Sequence, residues 1–388
     1  MIRSFVFEFP TIIEFGEGKS QEIMHAIKRE RAQKVLVVTD RVLMALGIVD
    51  PFLSILAEND IDYIVYDDVQ PNPLSSQVDA CGADAVLFDV DMLVAIGGGS
   101  VMDTAKGAAV IAANGGEIEE YLLLRGDGMI FPEKMPLPVL AVPTTAGTGS
   151  EVSDCIVITD KNKNKDLMLT TDIAPRYAYV DPVLTFSLPP METAMCGFGV
   201  LGNALEAYVS NVDCHLAEVL GLESISLVFD NLAAAVYGNE DARIKMSLAS
   251  VYAGIAQSKV GCVLPHAISC PLSAKHNIPH GHGVAAAQIP TIHYLKDIIP
   301  EKYLEIMRYL GDSSATIHSA ADHLIDKIHD LFFYTGLEEK IKLDVEITDE
   351  LIQELSEDAM KGVDIKGCPG DPVNIEDIIK IFKQILAN

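Results

Sequence analysis

The sequence predicts an α/β region followed by an all-helical region. Two observations carry this reading. Short apolar runs alternate with helical patterns through the first half of the chain. After Pro189-Pro190 the texture changes, and long segments repeat their apolar residues with helical period. The boundary falls near residue 185, giving an α/β domain over residues 1–185 and an all-helical domain over residues 186–388.

Val35-Leu36-Val37-Val38-Thr39-Asp40 is the first buried-strand candidate, and residues 60–66, 92–96, 137–142 and 156–159 supply four more. Apolar runs without alternation, separated by helical stretches, fit a largely parallel sheet covered on both faces. Lys161-Asn162-Lys163-Asn164-Lys165 is too polar for a strand interior and reads as a solvated hairpin turn. In the second half, residues 194–210, 215–237 and 241–259 read as helices of a bundle.

With 388 residues, 49% of them hydrophobic, the chain can fill two sizeable cores. Its 28 Lys and Arg stand against 56 Asp and Glu, a net charge of −28, which argues against nucleic acid or an anionic membrane as partner. The seven cysteines are scattered, odd in number and form no CxxC, the pattern of reduced thiols in a cytoplasmic protein. Residues 1–15 carry Arg3, Glu8 and Glu14 with no long apolar run, so no signal peptide is read there. No uninterrupted apolar segment of membrane-spanning length is present, and no transmembrane helix is expected.

Ile96-Gly97-Gly98-Gly99-Ser100-Val101-Met102-Asp103-Thr104-Ala105-Lys106 follows a predicted strand and opens a helix. Glycines let backbone approach a pyrophosphate, and the helix start aims N–H groups at the anion. The same glycines also suit an ordinary tight strand-to-helix turn. Pro143-Thr144-Thr145-Ala146-Gly147-Thr148-Gly149-Ser150-Glu151, about forty residues on, is rich in the small and hydroxylated residues of a loop around ribose and phosphate. Asp40 ends the first nucleotide-fold strand. A carboxylate there accepts from a ribose 2′-hydroxyl and repels a 2′-phosphate; it is equally a preferred helix N-cap, and the two roles are compatible.

The GGGSxxDxxK and PTTAGTGSE strings, in that order, resemble those of the iron-containing (group III) alcohol dehydrogenases. The resemblance continues through Pro71-Asn72-Pro73, Tyr179-Val180-Asp181-Pro182, Glu206-Ala207-Tyr208, and Gly367-Cys368-Pro369-Gly370 with Asn374-Ile375-Glu376-Asp377-Ile378. It implies the architecture shared with dehydroquinate synthase: an α/β dinucleotide-binding domain plus an all-α domain. It also implies NAD(P)H-linked interconversion of an alcohol and a carbonyl compound, a small-molecule substrate, and a homo-oligomer, commonly a dimer. The cofactor residues it points to are Asp40, Asn72, Gly97, Gly98, Gly99, Ser100, Asp103, Lys106, Thr144, Thr145 and Thr148, with Asp40 favouring NAD over NADP.

The catalytic half departs from the pattern. In relatives of this kind the helix matching residues 196–210 carries an Asp and a His four residues apart as metal ligands; here Gly199 and Asn203 take those places. The other two ligand positions match His266 and His280. The string after His280 is shifted by a residue, which leaves His280 and His282 as alternatives. Cys270 replaces a further, non-ligand histidine. Two imidazoles without a carboxylate hold Fe²⁺ or Zn²⁺ poorly, so no metal is assigned.

Three readings follow. Histidines among His266, His280 and His282 polarise the carbonyl without metal. A rearranged site recruits His276, His280 or His282 beside His266. Or the protein is a non-catalytic nucleotide-binding or assembly protein on the same scaffold. Lys275 is either a contact for a substrate anion or an ordinary surface lysine.

Overall fold

The computed structural model describes residues 4–123 and 130–387. The chain divides into two compact units. Among the described residues, one comprises residues 8–145 and Gly149–Ser187; the other comprises residues 4–7, Ala146–Thr148 and residues 188–387. The division after Ser187 falls two residues from the boundary read in the sequence. Residues 4–7 and the loop Ala146–Thr148, which that reading gave to the α/β domain, pack with the helices instead.

The α/β unit is built on a six-stranded sheet. Its strands are β1 (Ile12–Phe15), β2 (Lys34–Val38), β3 (Asp62–Tyr66), β4 (Met92–Gly97), β5 (Val139–Pro143) and β8 (Tyr177–Val180), in the order β1-β8-β5-β4-β2-β3. Every pairing in it is parallel. Connections include α1 (Met24–Glu30), α2 (Arg41–Ala45), α3 (Asp50–Glu58), α4 (Ser75–Phe88) and α5 (Gly99–Asn114). The central strands are apolar on both sides for a visible reason. Val35 and Val37 with Met92, Val94 and Ile96 join one core, while Leu36 and Val38 with Leu93 and Ala95 join another on the opposite face. The fifth strand candidate is not in this sheet. It forms β6 (Cys155–Thr159), which pairs antiparallel with β7 (Lys165–Leu169) around the polar turn at 160–164.

The second unit is helical: α6 (Pro190–Val209), α7 (His215–Val236), α8 (Glu240–Val260), α9 (Leu264–His276), α10 (His280–Leu295), α11 (Pro300–Tyr309), α12 (Ala320–Thr335), α13 (Asp349–Ala359) and α14 (Ile375–Ile385), with a two-residue pairing of β9 (Ile341–Lys342) and β10 (Leu386–Ala387). One continuous apolar core runs through it. By length and composition alone α7 could cross a membrane. In the structure Ala217, Gly221, Ile225, Val228, Leu232 and Ala235 form its buried stripe, the 3.6-residue pattern of a bundle helix.

Candidate functional site

In the α/β unit, β4 runs straight into α5 at the triple glycine. Gly98 is the N-cap, with φ −83° and ψ −170°, and Gly98, Gly99 and Ser100 are half-buried. The first N–H groups of a helix have no partner within it, so this turn presents donors to an anion. A Cβ on Gly98 would sit 3.3 Å from Thr145 Oγ1, inside the cradle. A Cβ on Gly97 would lie 2.6 Å from Val101, so that glycine serves close packing. Thr144 N–H donates to the Gly97 carbonyl (3.0 Å), which ties the second loop to the first. These residues fit a bound dinucleotide pyrophosphate.

Asp103 and Lys106 hold the loop that follows. Asp103 Oδ1 accepts from Ser150 Oγ (2.6 Å) and Oδ2 from Val157 N–H (3.0 Å). Lys106 is fully buried, and its Nζ donates to Ser150 Oγ, Ser153 O and Oγ, and Cys155 O at 2.8–3.2 Å. Grouped with the cofactor residues on sequence, it acts here as an internal staple. Asn72 takes a left-handed φ of 57°, and its carbonyl accepts from Thr159 Oγ1 (3.3 Å).

Glu151 lies beside this network with Oε2 lacking a hydrogen-bond partner, and burial pushes its carboxyl up to about 7 against the opposing backbone N–H and Lys106. The folded chain therefore holds this proton more tightly than the unfolded chain. The contribution is complete below the ordinary glutamate value of 4.5 and is lost as pH rises through about 7. Glu151→Gln should lose less thermal stability than the wild type between about pH 5 and about pH 8. Identical pH dependence in the two proteins would show that Glu151 does not titrate there.

Asp40 is the N-cap of α2, and its Oδ1 accepts from both Val42 and Leu43 N–H at 2.9 Å. Both bonds use one oxygen, so capping does not consume the other. If Asp40 selects against a 2′-phosphate, Asp40→Gly should narrow the preference for NAD(H) over NADP(H) in calorimetric titrations. Glycine is the apt replacement because it costs a cap only a few tenths of a kcal/mol. An unchanged preference would remove Asp40 from cofactor selection.

In the helical unit, Gly199, Asn203 and Glu206 share one face of α6 by their spacing of four and three residues. Gly199 leaves that face bare: a Cβ there would meet the Gly147 carbonyl at 3.4 Å and Gly281 Cα at 4.0 Å. Asn203 is buried, and its Nδ2 donates to the carbonyls of Gly147 and Thr148, both at 3.4 Å. The amide thus holds the Ala146–Thr148 loop against α6.

Glu206 was not singled out by sequence reasoning as a functional residue. It is 2% exposed; Oε2 accepts from Val263 N–H and Oε1 meets His266 Nδ1, each at 2.6 Å. A carboxylate one turn beyond Asn203 in an otherwise apolar stretch of helix was the available signal. Burial alone would push the His266 imidazolium down, but Glu206 outweighs it and the value is raised. Asp364, nearby, is pushed up to about 6 by burial, with His266 opposing and Glu206 reinforcing.

The structure brings His266 and His280 together, with ring centroids 5.0 Å apart and planes at 61°. Ser269 Oγ donates to the His280 carbonyl (2.9 Å) and lies 2.9 Å from His280 Nδ1. His282 is turned elsewhere, its Nε2 2.8 Å from the Glu338 carbonyl oxygen, so the geometry selects His280 over His282 as the neighbour of His266. Lys275 is ion-paired with Glu354 (2.7 Å) and Asp358 on α13, which accounts for its charge within the bundle.

This donor set does not fit the ion that the sequence resemblance implies. Gly199 offers no ligand atom, and at 203 an amide, whose Nδ2 donates to two carbonyls, stands where an imidazole would bind. Glu206, Cys262 and His266 place candidate ligand atoms within 4.8 Å of one another. There Glu206 Oε2 accepts from Val263 N–H, Oε1 meets His266 Nδ1, and Gln257 Nε2 donates to Cys262 Sγ (3.1 Å). These contacts draw the three side chains together through hydrogen bonds.

Comparison with known proteins adds an independent line. The family model for iron-containing alcohol dehydrogenase matches residues 10–182, and that for the C-terminal domain of the Fe-containing alcohol dehydrogenase family matches residues 193–386. The chain is 31% identical over 373 residues to the lactaldehyde reductase of Escherichia coli strain K12, covering 95% of this chain and 96% of that protein. It is 32% identical over 372 residues to the choline dehydrogenase of Bacillus subtilis strain 168, covering 94% and 91%. The crystal structure of sulfoacetaldehyde reductase from Bifidobacterium kashiwanohense in complex with NAD⁺ superposes with a TM-score of 0.88 at 31% identity, over 99% of each chain.

Proposed function

The chain belongs to the iron-containing alcohol dehydrogenase family, and we propose that it interconverts a small alcohol and its aldehyde or ketone with NAD(H) and without a bound metal ion. The observation that carries the metal-free part is the replacement of two ligand positions by Gly199 and Asn203, while His266 and His280 remain paired at 5.0 Å. Nicotinamide, when bound, supplies or accepts the hydride.

The chain's own residues divide the remaining work. Gly97, Gly98, Gly99 and Ser100, with Thr144, Thr145, Thr148 and Asn72, hold the dinucleotide, and Asp40 selects NAD. His266 and His280 stabilise the charge that develops on the carbonyl oxygen and deliver its proton, a contribution of roughly 10²–10⁴-fold for a placed histidine. A homo-oligomeric state and a cytoplasmic location complete the reading; family resemblance supports the first, and seven free cysteines support the second.

The test is a scan of short aldehydes, ketones and keto acids with NADH and NADPH in the presence of chelator. Turnover with NADH supports the proposal. Clear nucleotide binding with no turnover on any substrate would favour the non-catalytic alternative.

A further inference from the structure

We infer that Glu206 is a positioning residue that fixes the tautomer of His266, placing a proton on Nδ1 and leaving Nε2 as the nitrogen that exchanges protons with substrate. The Nε2 role rests on the function proposed above; the tautomer assignment does not. Val263 N–H is a backbone donor that cannot reverse, and it takes Glu206 Oε2 at 2.6 Å. With the side chain at 206 a carboxylate, neither oxygen carries hydrogen, so Oε1, 2.6 Å from His266 Nδ1, accepts as well and Nδ1 carries the hydrogen.

A carboxylate is the side chain that offers two acceptor oxygens and no donor. The Glu206 carboxylate, projecting from α6, meets the N-cap residue Val263 of α9, whose N-terminus favours a negative charge. Burial at 2% exposure keeps water from substituting for either partner. Ser269 does a parallel service at His280. Its single hydroxyl proton is directed to the His280 carbonyl, so its oxygen accepts from His280 Nδ1.

Glutamine at position 206 has one acceptor and one amide donor, so with its oxygen on Val263 N–H its NH₂ faces His266 Nδ1, a contact relieved only when Nδ1 gives up its hydrogen. The experiment is ¹⁵N NMR of histidine-labelled protein, wild type and Glu206→Gln, with the His266 signals assigned by their loss in His266→Gln. The wild type should show His266 protonated at Nδ1, and Glu206→Gln should shift it toward the Nε2-protonated form. In parallel, kcat should fall at least about tenfold in Glu206→Gln with little change in the Kd for NADH.

An Nε2-protonated His266 in the wild type would overturn the inference, and needs no folded variant to be read. So would a tautomer that is the same in wild type and folded Glu206→Gln. A tautomer switch in a wild-type protein that turns over no substrate would support the positioning of His266 and overturn the proposed function, which separates the two.

Discussion

Replacing His266 with glutamine should lower kcat for carbonyl reduction by about 10²–10⁴-fold, the range for losing a placed acid–base group. His266 is 14% exposed at its side chain, hydrogen-bonded to Glu206 at 2.6 Å and set edge-on to His280. Glutamine is preferred to alanine because its amide can still donate to Glu206. Leaving that buried carboxylate unpaired would cost stability on the order of 3–5 kcal/mol and confuse the reading. Affinity for NADH should be unchanged, since the residues assigned to the dinucleotide lie in other parts of the chain. A variant as active as wild type would move the proton-donor role away from His266.

Replacing Gly98 with valine should abolish measurable NADH binding while leaving the chain folded. Gly98 is half-buried and adopts φ −83°, a value open to any residue, so the backbone does not require glycine there. What requires it is space: the first added carbon already lies 3.3 Å from Thr145 Oγ1, and the two branches of valine would project into the cradle at the start of α5. The contrast is Gly97, where a Cβ would lie 2.6 Å from Val101 and the damage should fall on folding. Calorimetric titration with NADH, beside thermal unfolding of each variant, distinguishes the two glycines. Normal NADH affinity in Gly98→Val would mean that the triple glycine is a structural turn.

The parallel sheet was legible because β2 and β4 are apolar at successive positions, which only burial on both faces explains. The two strands of that sheet that escaped notice, β1 and β8, carry Glu14 and two tyrosines, which interrupt the aliphatic run that marks the others. The run at 156–159 looked like another sheet strand. Its hairpin with β7 depends on a partner that begins with Lys165 and Asp166, which hides its apolar character.

In the site, residue types were readable but hydrogen-bond partners were not. Lys106 sits in a motif that suggests a phosphate contact, yet its ammonium is consumed by Ser150, Ser153 and Cys155, more than forty residues away. His280 and His282 are equivalent in spacing arguments. Only the bundle shows one ring beside His266 and the other against the Glu338 carbonyl. Glu206 was visible as part of a family string, but its pairing with Val263 and His266 crosses about sixty residues and leaves no local mark.

The most direct test of the account is elemental analysis of the purified protein together with its reductase activity before and after exhaustive chelation. The account predicts iron and zinc far below one ion per chain and activity that survives the chelator. One tightly held ion per chain, with activity lost on its removal and restored by adding it back, would contradict the metal-free reading and place a cation among the histidines around His266.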